Sequence, residues 1–308
     1  MLAIIIPFYK ITFFEATLQS LANQTDKRFK VYMGDDASPN DCSPLLKKFE
    51  GKFDFLYHRF EDNLGGKSLT QQWKRCIDLI ADEQTQWVMI LGDDDILGNE
   101  VVETFYKNYN QFKEITKVVR YATKELNQIE NTESSIFLNP IFESGFDFLN
   151  RKLNGLTRAS LSEFVFKWND LKNNKFTDYS SAFFSDDRIV LDLSLHNNIY
   201  SINESVITIR IFEESISGKA SSNYENLSKA RFNFYFYLVT RYYNYLNKTS
   251  KIKVLDFLIG YGLKFDKLKI YDLLNFYIKS IFLLNINFFI KVNKKIIRSK
   301  LRMYNFFN

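Results

Sequence analysis

Strand-length apolar runs alternating with helix-period stripes restrict the possible folds of this chain more than any other feature. Leu2–Ile6 is a continuous apolar run stopped by Pro7, as a strand buried on both faces should be. Phe14, Leu18 and Leu21 then recur at helical spacing. Phe29 to Met33 reads as a second strand, and Phe53 to Phe60 as a third with alternating apolar residues. Leu69, Trp73, Cys76, Ile77 and Ile80 share one helical stripe. Trp87 to Leu91 is a fourth strand, and Val102, Phe105, Tyr106, Tyr109 and Phe112 mark the buried face of another helix. Such alternation implies βαβ units, hence an α/β fold with a mostly parallel sheet flanked by helices. Residues 126–180 carry a weaker pattern. A helix from about Asp186 to His196 and a strand from Val206 to Ile211 follow.

In such sheets ligands sit at the carboxyl ends of the strands. The second strand runs into Gly34-Asp35-Asp36 and the fourth into Gly92-Asp93-Asp94-Asp95, so two acidic clusters far apart in sequence should meet at one sheet edge. Three consecutive carboxylates repel one another and need a cation, backbone donors or free solvation. The plain alternative is a solvated turn in which one Asp caps the helix starting near Asn99. Composition decides which cation is possible. Cys42 and Cys76 are the only thiols and His58 and His196 the only imidazoles, which excludes a disulfide framework and a zinc centre. A metal would therefore have oxygen ligands, as Mg²⁺ or Mn²⁺ does. Gly65-Gly66 fits neither the dinucleotide nor the P-loop phosphate pattern.

Past Gly218 the pattern changes to amphipathic helices: Phe232, Tyr235, Phe236 and Val239; Leu273, Phe276, Tyr277, Ser280 and Ile281; Phe288, Phe289 and Val292. Residues 219–308 hold 17 Lys+Arg against 4 Asp+Glu, whereas residues 1–218 hold 24 against 32, so the formal net charge of +5 averages two unlike halves. A domain over 1–218 followed by a basic, aromatic-rich helical region over 219–308 is expected. That region can pack its aromatic faces on the first domain, attach to an anionic membrane surface, or both. Nucleic-acid binding ranks below these. The opening MLAIIIPFYK is broken too early by Pro7 for a signal peptide, and no window approaches ~18 uninterrupted apolar residues. A cytoplasmic protein is expected, with peripheral attachment to the cytoplasmic face of the inner membrane as the extension of that reading.

Seven short elements occur in order: Ile4-Ile5-Ile6-Pro7-Phe8-Tyr9-Lys10; Ser20-Leu21-Ala22-Asn23-Gln24-Thr25; Asp35-Asp36-Ala37-Ser38; Asn63-Leu64-Gly65-Gly66; Leu91-Gly92-Asp93-Asp94-Asp95-Ile96; Ser185-Asp186-Asp187; and Arg210-Ile211-Phe212-Glu213-Glu214-Ser215-Ile216-Ser217. Together they resemble the nucleotide-sugar-dependent glycosyltransferases of family 2, which have the GT-A fold with a Rossmann-like nucleotide-binding half. The corresponding family patterns are an apolar strand with P-x-Y-N, S-L-x-x-Q-T, D-D-G-S, N-x-G, L-D-x-D-D-x, a late acidic pair before a helix, and R-I-H-x-x-S-I-S. The chain departs from them at Lys10 for Asn, Gly92 for the first Asp, and Phe212 for His.

The resemblance implies roles. Asp36 would bind the nucleotide base, with Pro7 and Tyr9 shaping the pocket. Asp93 would face the ribose or the water shell of a divalent cation, Mn²⁺ or Mg²⁺. Asp94 would be its direct ligand, with Asp95 the runner-up. Arg210 or Lys67 would meet the diphosphate. Asp187 would take the acceptor proton, with Asp186 as the alternative. The donor implied is a nucleotide-diphosphate sugar with UDP as the expected nucleotide, and the acceptor a saccharide or lipid-linked saccharide. An inverting, metal-dependent reaction in bacterial surface polysaccharide synthesis follows. One rival is a sugar-phosphate nucleotidyltransferase, which would want a Gly-rich basic loop where Pro7-Phe8-Tyr9-Lys10 stands. Another is a non-catalytic membrane- or nucleic-acid-binding protein whose acidic clusters are only turns.

Overall fold

The computed structural model describes residues 1–81, 84–215, 218, 223–265, 267–283, 288 and 290–297. The Leu2–Ile6 run lies within β1 (Leu2–Phe8), and its alternate residues serve opposite faces. Leu2, Ile4 and Ile6 join one core cluster, Ala3 and Ile5 another. On the first face lie α1 (Phe14–Ala22) and α4 (Val101–Phe112), through Phe14, Leu18, Val101, Phe105 and Phe112. On the second lie α3 (Leu69–Ile77) and α7 (Ser185–Ser194), through Cys76, Ile77, Ile189, Val190 and Leu193. The Ser68 hydroxyl starts α3 by accepting the Gln71 N–H at 3.3 Å.

β1 pairs in parallel with β2 (Phe29–Asp35) and β4 (Trp87–Ile90), and β2 with β3 (Asp54–Arg59). The remaining strands are β5 (Ile96–Leu97), β6 (Thr116–Asn127), β7 (Thr132–Glu133), β8 (Phe142–Ser144), β9 (Phe164–Lys167) and β10 (Asn198–Ile211). Ten strands form one sheet, ordered β3-β2-β1-β4-β9-β6-β10-β5 along its main path, with β7 on β6 and β8 on β10. β9 runs antiparallel to both β4 and β6 and so joins two parallel blocks, β3-β2-β1-β4 and β6-β10. The sheet is thus more mixed than its first four strands announce. β6 and the first half of β10 carry no clean apolar signal, because they bury Arg120, Thr123 and Ser201 among partners distant in sequence.

The segment of weak pattern holds α5 (Gly145–Leu153) and α6 (Trp168–Asn173), and a short helix α2 (Ser43–Lys47) follows β2. After Gly218 come α8 (Tyr224–Arg241), α9 (Lys248–Phe265) and α10 (Ile270–Ile281). Their aromatic faces pack on the earlier part of the chain: Phe232, Phe234, Leu238, Leu258 and Phe276 share one core with Phe146 and Leu149 of α5 and Leu191 of α7. Ile216-Ser217, Phe289 and residues 298–302 lie outside the described residues. Among the described residues no helix is long and apolar enough to cross a membrane.

Candidate active site

Register brings the sequence-distant acidic ends together. Phe8 of β1 pairs with Asp35 of β2, Asp36 N–H donates to Phe8 O at 2.9 Å, and Leu91 N–H donates to Ile5 O at 2.8 Å. β5 then turns the Gly92–Asp95 loop against β10 by pairing Ile96 with Thr208, which places Arg210 beside it. A cavity of about 1140 Å³ opens at this edge. Pro7, Tyr9, Lys10, Asp36, Lys67, Asp93, Asp94, Asp95 and Arg210 all line it, so every expected donor-side residue reaches one place.

The three aspartates differ in what they touch. Asp93 Oδ2 accepts the N–H groups of Tyr9 and Lys10 at 2.8 and 2.7 Å and so clamps the exit of β1. Asp95 Oδ1 accepts Arg210 N–H at 3.0 Å, and its Oδ2 accepts the Ser162 hydroxyl at 2.5 Å. Both are 6% exposed. Asp94 instead has Lys10 Nζ at 3.6 Å from Oδ2, while its carbonyl accepts Arg210 Nε at 3.1 Å. A Cβ at Gly92 would stand 2.9 Å from carboxylate oxygens of Asp94 and Asp95, so any side chain there would require those two carboxylates to shift. Burial pushes the Asp95 carboxyl up to about 7 and Asp93 up to about 6, with the neighbouring Asp94 charge adding to both. Burial raises Asp94 as well, against the pull of Lys10.

The Ser20–Thr25 motif holds this loop from behind. The Thr17 hydroxyl donates to the carbonyls of Asp93 and Asp95 at 3.1 and 2.8 Å, and Ser20 Oγ accepts Leu97 N–H at 3.2 Å. Gln24 donates to Gly98 O at 2.8 Å and accepts Val102 N–H at 3.0 Å. Asp36 is similarly engaged. It accepts Leu64 N–H at 2.8 Å, Gly65 N–H at 2.9 Å and the Arg75 guanidinium, although burial still raises its carboxyl above the usual value. It therefore positions the Asn63–Gly66 turn, and a Cβ on Gly65 would meet its Oδ2 at 2.4 Å.

Asp186 and Asp187 are not brought to the cavity wall. α7 starts at a left-handed Phe184 (φ 66°), which turns the helix inward; Asp187 is 3% exposed and ion-paired with Lys152 of α5. Asp186 accepts Asp187 N–H at 2.9 Å, and burial, then the Asp187 charge, pushes its carboxyl up to about 6. The preceding residues 178–182 do line the cavity, together with Asn223 and Asn226 at the start of α8. Asp178, which the sequence patterns do not single out, lines the cavity and accepts the Thr70 hydroxyl at 2.8 Å. Ser162 was equally silent in sequence, because its partners, Gly92 and Asp95, lie on another element.

Among the described residues no three His, Cys, Asp or Glu side chains form a metal cage. A hard cation that arrives with phosphate oxygens needs only one or two protein carboxylates. Asp94 fits that requirement, since Asp93 and Asp95 are held by backbone and hydroxyl donors. The donor set suits a substrate-borne ion better than a resident one.

The fold has solved counterparts. S. aureus TarS 1–349 in complex with UDP-GlcNAc matches with a TM-score of 0.62 at 15% identity, over 97% of this chain and 88% of that one. The same protein in complex with UDP gives 0.57 at 15% identity, over 90% and 78%. Against S. aureus TarS itself the TM-score is 0.59 at 14% identity; 97% of this chain is covered but only 53% of that one, so the chain spans about half its length. Among curated proteins none matches significantly. The model of glycosyl transferase family 2 matches residues 3–162, more than half of the chain. The chain therefore belongs to glycosyl transferase family 2.

Proposed function

We propose that this glycosyltransferase moves a sugar from a nucleotide-diphosphate sugar, with UDP as the nucleotide, onto a saccharide or lipid-linked saccharide in bacterial surface polysaccharide synthesis. The observation that carries the reading is the convergence of the ends of β1, β2, β4 and β10 on one cavity, with Asp94 and Arg210 on its floor. Pro7, Tyr9 and the Asp36-held turn at Gly65 would receive the base, Asp93 the ribose side, and Arg210 with Lys67 the diphosphate. A divalent cation, Mn²⁺ or Mg²⁺, held by Asp94 with Asp95 behind it, would neutralise the charge that develops on the leaving diphosphate. Asp187, with Asp186 beside it, is the proposed acceptor base. One base on the face opposite the leaving group gives in-line displacement with inversion. The cavity exceeds the 300–1,000 Å³ usual for one ligand, which leaves room for an acceptor beside the donor. Titrating UDP-GlcNAc and GDP-mannose with Mn²⁺ by calorimetry tests the reading. Binding of one of them is expected, weakened about tenfold or more in Asp36→Ala through loss of the Gly65 turn. No heat with either donor removes the proposal.

The second part of the proposal is peripheral attachment to an anionic membrane, on the cytoplasmic face. Tyr271, Leu274 and Ile278 of α10 and Phe282 just past its end recur at helical spacing and stand exposed, and Phe282 is 78% exposed. Lys264, Lys267 and Lys269 are exposed just before this face, each worth ~1 kcal/mol near an anionic surface. In vesicle flotation, Ile278→Ser/Phe282→Ser is expected to bind phosphatidylglycerol vesicles about tenfold less than wild type. Equal binding of the two forms, or wild-type binding no better than to neutral vesicles, removes the membrane role.

A further inference from the structure

Two departures from the family pattern touch each other. Lys10, where the pattern has Asn, places its ammonium 4.8 Å from the ring centroid of Phe212, where the pattern has His. The same ammonium lies 3.6 Å from Asp94 Oδ2 and 3.5 Å from the carbonyl of Glu214. The main chain of Lys10 cannot drift, because its N–H is fixed on Asp93 Oδ2 at 2.7 Å. A flexible four-carbon stem therefore carries a compact positive charge from a fixed root over the aspartate loop. Replacing His by Phe removes one possible metal ligand and supplies an aromatic face for a cation instead. Both changes act in one direction: a chain-borne cation at the point where charge on a donor diphosphate must be met.

The electrostatics agree. Three carboxylates crowd the loop, and the positive groups touching it are Lys10 and Arg210. Arg210 is anchored in place, since its backbone N–H and Nε donate to Asp95 and Asp94 and its guanidinium lies 4.1 Å from the ring centroid of Phe13. Among the described residues Lys10 is held by the long ion pair, the long bond to Glu214 and the Phe212 face. It can turn towards an anion without breaking the frame of the loop.

We propose that Lys10 is a ligand for the donor diphosphate, standing beside Asp94 where a divalent cation would act, so that this chain binds nucleoside diphosphates without divalent metal. The inference rests on the nucleotide-sugar reading above. Calorimetry with UDP and GDP, in EDTA and in Mn²⁺, tests it on wild type, Lys10→Met, Lys10→Arg and Asp94→Asn. Wild type is expected to bind in EDTA within about tenfold of its affinity in Mn²⁺. Lys10→Met should lose about tenfold or more in EDTA and less than about threefold in Mn²⁺, and Lys10→Arg should restore the metal-free affinity. Asp94→Asn should lose the increment from Mn²⁺ and keep the affinity in EDTA. Unchanged affinity of Lys10→Met in EDTA, or wild-type binding only with Mn²⁺, overturns the role of Lys10 and leaves the donor reading intact. No binding in either buffer overturns the donor reading and this inference with it. Thermal unfolding of Lys10→Met at the wild-type temperature shows that any loss is local.

Discussion

Asp94→Asn is expected to lower sugar transfer by about 10²- to 10³-fold and, at the same time, to raise the melting temperature of the unliganded chain at pH 8. Both effects have one cause. Asp94 carries a charge that the folded protein disfavours, since burial raises its carboxyl and Asp93 and Asp95 stand on either side. A carboxyl raised in the folded state binds more protons there than in the unfolded chain, so stability falls as pH rises from about 4 through the raised values. Removing the central charge recovers part of that loss, an increase of roughly 2–4 °C for about 1 kcal/mol. The gain should be largest above the value of about 7 that Asp95 reaches, and should shrink towards pH 4. Melting curves at pH 5 and pH 8, beside initial rates with saturating donor, measure both. A variant as active as wild type would remove Asp94 from the chemistry. One less stable at pH 8 would show that the loop's repulsion is already relieved by Lys10 and Arg210.

What could be read from sequence divides along the length scale of the interactions. β1, β2 and β4 announce themselves because each is a run of residues buried by its own composition, and Asp36 and Asp94 could be placed from the strand ends they follow, whereas Pro7, read as the stop of the first run, lies inside β1. β6 could not be read the same way. Its Arg120 is wholly buried and ion-paired with Glu163 at 2.7 Å, a partner 43 positions away, and a lone Arg in a strand pattern argues against the strand until that partner is known. Ser162 and Asp178 fail for the same reason, since a serine or an aspartate acquires meaning only from what faces it. Gly92 is the opposite case: in sequence it is a departure from a motif, and in three dimensions it lies so close to the carboxylates of Asp94 and Asp95 that both would have to move for a side chain there. The Ser20–Thr25 motif was legible as a string, but its work, tying α1 to the aspartate loop, is visible only in the hydrogen bonds of Thr17, Ser20 and Gln24.

Asp187→Asn should reduce transfer by about 10²- to 10⁴-fold with UDP affinity unchanged, whereas Asp178→Asn should cost less than about tenfold. The ranking runs against simple exposure, because Asp178 lines the cavity and Asp187 does not. Asp178, however, is bound to Thr70 in the first turn of α3, next to the Gly65 turn that Asp36 holds, which is the donor's side of the cavity. Asp187 sits in α7, shortly after the cavity-lining residues 178–182 in the chain, and the segment that leads into the helix is strained. Ser181, Ala182 and Phe184 all have left-handed backbones, with φ of 53°, 55° and 66°, at a cost of order 1–3 kcal/mol each. A segment under strain can shift when an acceptor enters, and until it does Asp187 stays ion-paired with Lys152. Burial, then the Asp187 charge, pushes the neighbouring Asp186 carboxyl up to about 6. Transfer should therefore fall as pH drops through about 6, and Asp187→Asn should move that acid limb to lower pH by removing the like charge. Loss of activity in Asp178→Asn with full activity in Asp187→Asn would transfer the proton-accepting role to Asp178 and leave Asp187 as the partner that holds Lys152 between α5 and α7.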